Sequence, residues 1–189
     1  GFCDDAAGRV FRLRFMPRAP GPHHLRATFA WGGLRLRHEA TLSAHPGDGA
    51  RPGPVRVDPA HPFHFIREGT GEPYYPFGTT AYYLLGWAES AWPAILDRFQ
   101  AYGVNRLRVA LYGRTRDAAR WSEPLVRPTA DFRMHLEPWP AARPDDIEQP
   151  DFDLTRFNLA HWHHAERLLA ACAARGIVVS WVFLLDGQD

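Results

Sequence analysis

The stretch Tyr102-Gly103-Val104-Asn105-Arg106-Leu107-Arg108-Val109-Ala110-Leu111-Tyr112 decides how the second half of this chain is read. Just before it, Trp92, Ile95, Leu96, Phe99 and Tyr102 recur at three- and four-residue spacing. Pro93 lies in the opening turn and Gly103 just past the end, which predicts one amphipathic helix. Val104 to Tyr112 then predicts a strand. The order repeats downstream. Thr155 to Arg175 predicts a second helix with a buried stripe of Phe157, Ala160 or His161, Ala165, Leu168, Leu169 and Cys172, and with Gly176 as terminator. Ile177 to Leu185 is an almost unbroken apolar run, as expected of a strand covered on both faces. Pro76 to Tyr83 supplies a strand ahead of the first helix. Strand, helix, strand, helix, strand implies a parallel sheet with crossover connections. That is also the order of the first three of the eight strands of a TIM (β/α)8 barrel.

Working back toward the start, Phe63 to Arg67 and Tyr74 to Phe77 flank Glu68-Gly69-Thr70-Gly71-Glu72-Pro73, a hairpin suited to plugging the bottom of a barrel. Asp58-Pro59-Ala60-His61-Pro62 is expected to be a short, stiff join. Residues 1 to 58 read as strands separated by turn signals. Val10 to Phe15 alternates apolar and Arg, Pro17 to Pro22 is a turn, His24 to Trp31 a strand, Gly32-Gly33 a turn, and Leu34 to Leu42 a third strand. This is the grammar of an Ig-like β-sandwich, yet too short for a whole one. The expected fold class is therefore α/β plus all-β: a partial β-sandwich over 1–58, then the N-terminal part of a TIM barrel over 63–189. The chain, which begins without Met, is expected to be a piece of a longer protein.

Composition excludes several classes. The 22 basic residues, all of them Arg, are balanced by 21 acids to a formal net charge of +1, so no nucleic-acid-binding excess of charge exists. No apolar run approaches the roughly 20 residues of a membrane span. Cys3 and Cys172 lie far apart and suggest neither a disulfide framework nor a metal site. There is no Gly-rich phosphate loop and no Gly-x-Ser-x-Gly elbow, and no cofactor is expected.

Gly103-Val104-Asn105-Arg106-Leu107-Arg108, then Phe152-Asp153-Leu154-Thr155-Arg156-Phe157-Asn158 and Ala174-Arg175-Gly176-Ile177, resemble glycoside hydrolases of the large retaining barrel clan. With Gly78-Thr79-Thr80-Ala81-Tyr82 as an opening strand, the chain looks most like apiosidase-like barrels. Gly1-Phe2, Arg14-Phe15-Met16-Pro17 and Pro20-Gly21 resemble the β-sandwich domain of unknown function often found ahead of them. Asp4-Asp5-Ala6-Ala7-Gly8 fits that domain's Asp-Gly turn loosely, and His23-His24 replaces its usual aromatic. The resemblance implies a retaining hydrolase of O-glycosidic bonds in a polysaccharide or oligosaccharide, with two carboxylates roughly 5 to 5.5 Å apart. In that clan they end the fourth and seventh strands. No catalytic residue is therefore assigned in this chain. The resemblance also favours a secreted or periplasmic setting for the parent protein and a carbohydrate as its partner.

Several residues are candidates for shaping a substrate pocket. Arg108 matches the arginine that in such barrels lies beside the nucleophile and holds its pKa down; otherwise it is a structural ion-pair partner, or points between strand and helix. Arg106 shares its face. Tyr82, Tyr83 and Tyr112 end strands, where a ring could stack on a sugar or simply pack. Asp186 could bind sugar hydroxyls or cap a following helix. Trp121, Phe132 and Trp139 lie in a connection of roughly 40 residues, Gly113 to Asp153, long enough to suggest a binding loop; their rings could stack on sugars or pin the loop. His161 and His164 share a helix face but lack a third ligand, so no metal is expected. Two rival functions stand beside the hydrolase: a noncatalytic carbohydrate-binding or adhesion protein with a degenerate barrel, and a lyase or isomerase on the same fold.

Overall fold

The computed structural model describes residues 2–17, 19–47, 51–112, 129–133, 136–144, 146 and 149–183. The chain divides into two compact units, Gly1–Tyr75 and Pro76–Asp189.

The first unit is built of short antiparallel pairings. β1 (Phe2–Cys3) pairs with β2 (Phe11–Arg12), and β3 (Gly21–Trp31) pairs with β4 (Leu34–Ala44) over their whole length, Trp31 opposite Leu34 and Gly21 opposite Ala44. Gly32 and Gly33, at φ 54° and 83°, make the two-residue turn whose twist suits a hairpin. The period-2 pattern sorts the faces. Leu25, Ala27 and Phe29 lie opposite Ala40, His38 and Leu36, while Arg26 and Thr28 face the other way with Glu39 and Arg37. Phe11 of β2 covers Phe29, the rings 4.7 Å apart.

β5 (Val55–Val57), β6 (Phe65–Arg67) and β7 (Pro73–Tyr74) form a second antiparallel sheet in that order. The expected join at Asp58–Pro62 is in fact the turn between β5 and β6. The Asp58 carboxylate accepts from the Ala60 amide and bonds the His61 ring at 2.9 Å, and the Asp58 amide donates to the His64 carbonyl. These bonds bend the segment, and the 63–75 hairpin belongs with the first unit rather than with the barrel-like part. The two prolines had suggested stiffness.

The second unit has a parallel sheet of β8 (Gly78–Thr80), β9 (Arg106–Ala110) and β10 (Val178–Val182), with β9 in the middle. α1 (Trp92–Ala101) connects β8 to β9, and α2 (Leu159–Ala173) precedes β10. Both helices end alike. Gly103 (φ 76°) and Gly176 (φ 71°) take the left-handed conformation, and the amides of Val104 and Ile177 reach back to the carbonyls of Phe99 and Cys172. Asn105 then ties the three strands at their starts. Its side chain accepts from the Phe77 amide, its own amide donates to the Phe77 carbonyl, and its carbonyl accepts from Val178.

Leu107 and Val109 of β9 meet Leu96 of α1 and Leu168 and Cys172 of α2 in one core, each of them 0% exposed. Burial pushes the Cys172 thiol up to about 11, so it is an inert core group. Two expectations for α2 fail. The helix starts at Leu159, leaving Phe157 outside it and 58% exposed, and Leu169 lies off the buried face at 37%. β8 is also shorter than expected. Tyr82–Gly86 is a 3-10 turn, because Leu84 and Leu85 must both reach the core, which an extended strand pointing them to opposite faces would prevent.

Candidate functional site

The two faces of the parallel sheet differ in chemistry. Register places Gly78 and Thr80 of β8, Arg106, Arg108 and Ala110 of β9, and Val178, Ser180 and Val182 of β10 on one face. The helices pack on the other, around Leu107, Val109, Val179 and Trp181. Arg106 and Arg108 are exposed on the helix-free face. The Nε of Arg106 donates to the Ser180 hydroxyl at 3.0 Å. The guanidinium of Arg108 lies 5.6 Å from the centroid of the Tyr82 ring, close enough for cation–π attraction. Thus Arg108 points neither between strand and helix nor into an ion pair: among the described residues no carboxylate partners it. Gly78 lets β8 come this close, since a Cβ there would sit 2.6 Å from the Arg106 carbonyl oxygen.

Tyr82 and Arg108 are therefore brought together, although Tyr82 comes from the 3-10 turn and not from a strand end. Tyr83, in the same turn, packs partly buried against the core.

Above the sheet, the connections after β8 and β9 are stitched to each other. Ala88 donates to the Asp131 carbonyl at 2.7 Å, Arg133 donates to the Gly86 carbonyl at 2.9 Å, and the rings of Trp87 and Phe132 lie 5.0 Å apart. Phe132 thus pins its loop. Tyr112, Trp139 and Phe152 form a triangle of edge-to-face rings, 6.1 to 6.2 Å apart. Tyr112 and Trp139 are brought together, but as each other's packing partners. The Pro138 carbonyl accepts from the Trp162 indole at 3.0 Å and from the Asn158 amide at 2.9 Å, fixing this loop to the start of α2. Trp121 and Asp186 lie outside the described residues.

The histidines of α2 have separate environments. His161 is half-buried, with its Nε2 out of reach of solvent. Desolvation drives its pKa down to about 4, against a hydrogen bond to the Leu111 backbone, and among the described residues Nε2 has no partner. His164 instead bonds at both nitrogens, Nε2 with the Leu85 carbonyl at 3.0 Å and Nδ1 with Glu89 at 3.1 Å, while its ring lies 4.6 Å from that of Trp92. Glu89 also accepts from Arg167 at 2.7 Å. Arg167 first, and His164 second, hold its carboxyl below the ordinary range. Glu89 has no local signal in the sequence, because its partners lie more than seventy residues away in the chain. Among the described residues, no group of His, Cys, Asp and Glu is arranged to hold a metal ion.

No family model matches the chain, and no curated protein matches it. Among solved structures, it is similar to a Bacteroides vulgatus protein whose crystal structure is described as that of "a putative glycoside hydrolase". The TM-score is 0.66 and the identity 24%, over 89% of this chain and 31% of the other. The fold is shared. The chain spans about a third of that protein's length. No helix among the described residues is long and apolar enough to cross a membrane.

Proposed function

We propose that this chain is a segment of a retaining glycoside hydrolase of apiosidase-like type, the end of an Ig-like β-sandwich followed by the first three β-units of a TIM barrel. The observation that carries the proposal is the helix-free face of the parallel sheet, where Arg106 and Arg108 stand exposed and where, among the described residues, no carboxylate partners Arg108 beside the Tyr82 ring. In a closed barrel this face lines the interior, and its upper end opens to the substrate. The fold shared with a protein described as a glycoside hydrolase supports the same assignment.

On this proposal a carboxylate from a later strand sits beside Arg108. The guanidinium stabilises its ionised form and keeps it ready to attack the anomeric carbon, while a second carboxyl protonates the leaving oxygen. Tyr82 confines the guanidinium, and the loops after β8 and β9 shape the approach. The test is hydrolysis of a polysaccharide and oligosaccharide panel by the full-length gene product, with the anomeric configuration of the released sugar followed by NMR. Release with retained configuration is expected. A folded full-length protein that binds glycans but releases nothing would favour the noncatalytic binding protein, and an inverted product would remove the retaining mechanism.

A further inference from the structure

The turn that carries Tyr82 is hydrogen-bonded to α2 through the His164 ring. Nε2 of His164 meets the Leu85 carbonyl at 3.0 Å and Nδ1 meets Glu89 Oε1 at 3.1 Å. Leu85 belongs to the 3-10 turn Tyr82–Gly86 and Glu89 opens the next one, Glu89–Ala91, so one ring spans both turns between β8 and α1. A backbone carbonyl and a carboxylate can only accept. The two bonds coexist only when both ring nitrogens carry protons.

We propose that His164 is a positioning residue that acts as a proton-dependent latch, holding the Tyr82–Gly86 turn and the Glu89 turn on α2 while its ring carries two protons and releasing the Tyr82–Gly86 turn when it carries one, since the proton that remains stays on Nδ1 facing the ionised Glu89. The other charged and titratable groups around it favour this behaviour. Arg167, on the same helix, shares Glu89 and stays cationic, so Glu89 remains an ionised acceptor to below the ordinary carboxylate range. His161, one turn earlier, is kept neutral by burial at neutral pH. Losing one ring proton therefore changes the latch itself and neither of these two neighbours. Trp92, 3% exposed, backs the ring and keeps it in place between its two acceptors. The proposal does not depend on the substrate, and it can fail while the glycosidase assignment stands.

The test uses the full chain, in two measurements. Ring 15N shifts of His164, assigned by comparison with His164→Gln, are expected to show both nitrogens protonated at about pH 6. Hydrogen exchange of the Leu84 and Trp87 amides, which close the first turn, is the second. Corrected for intrinsic rate, their protection is expected to fall about tenfold between about pH 6 and about pH 8, the scale of one bond to a charged group. In His164→Gln it is expected to be flat over that range. A single-proton ring at about pH 6, or the same pH dependence in His164→Gln, overturns the latch. If His164→Gln does not fold, the wild-type ring shifts decide, and a ring carrying a single proton at about pH 6 overturns the proposal.

Discussion

The two units of this chain solve the same problem unequally. In the second, thirteen of the described residues, from the Tyr82–Gly86 turn, α1, β9, α2 and their connections, form one buried cluster, with Leu96, Leu107, Val109, Leu168 and Cys172 at 0% exposure. In the first, Tyr74 is the one buried hydrophobic among the described residues, while Phe11, Leu36 and Trp31 are 53%, 55% and 76% exposed. Eleven-residue strands and complete hydrogen-bond ladders have not given the first unit a core. Strand pairing satisfies backbone groups, but a second layer is what takes apolar side chains out of water. The apolar face of β3–β4, with Phe2, Phe11 and Leu13 beside it, instead lines an open groove of about 670 Å³.

The largest difference to test is the cost of truncation. Leu96→Ala or Leu168→Ala should destabilise the second unit by about 3 kcal/mol, whereas Leu36→Ala in the first should cost below about 1 kcal/mol. Urea unfolding followed by tryptophan fluorescence measures both, and equal costs would break the comparison. Acidification should come next. His161 has a folded-state pKa near 4 against an ordinary 6.5, so the unfolded chain binds the extra proton first. Stability is therefore full above about pH 6.5 and is lost as the pH falls toward 4, by about 3 kcal/mol. Denaturation midpoints against pH, with His161→Phe as the non-titrating control, should show this loss in the wild type and lose most of it in the variant.

A smaller effect separates two glycines. Gly78→Ala drives a methyl group against the Arg106 carbonyl and should cost about 2 kcal/mol by separating β8 from β9. Gly47→Ala meets open space and should stay within about 0.5 kcal/mol. Thermal melts of the two variants suffice, and a neutral Gly78→Ala would mean that the strands can part without penalty. Least of all, removing the exposed Arg26–Glu39 pair by Arg26→Ala should leave the denaturation midpoint unchanged.

Much of the second unit was legible because its signals are local. Gly103 and Gly176 marked where the helices stop, and the spacing of Trp92, Leu96 and Phe99 marked the face of α1 that turns inward. Arg108 was legible as a candidate through period-2 alternation, which groups it with Arg106 opposite Leu107 and Val109. Other features depend on distant partners. Tyr82-Tyr83-Leu84-Leu85 looks like the end of a strand, but the core behind it demands both leucines, and the backbone coils to deliver them. Phe157 has the right spacing for the α2 stripe, yet the helix begins two residues later. Asp58–Pro62 reads as a stiff spacer until the bonds of Asp58 to Ala60, His61 and His64 are known. The pairing of His164 with Glu89 has no readable signal, since neither spacing nor composition tells that residues seventy-five apart will bond.

The matched endings of α1 and α2 carry an evolutionary consequence. Because Gly103 and Gly176 leave their helices through the same five-residue back-reach, each following strand is delivered to its neighbour at a common starting point, Arg106 beside Val178. Recombination with crossovers at both glycines would exchange the segment from β9 to α2 as a unit, entering and leaving at equivalent points of the parallel sheet.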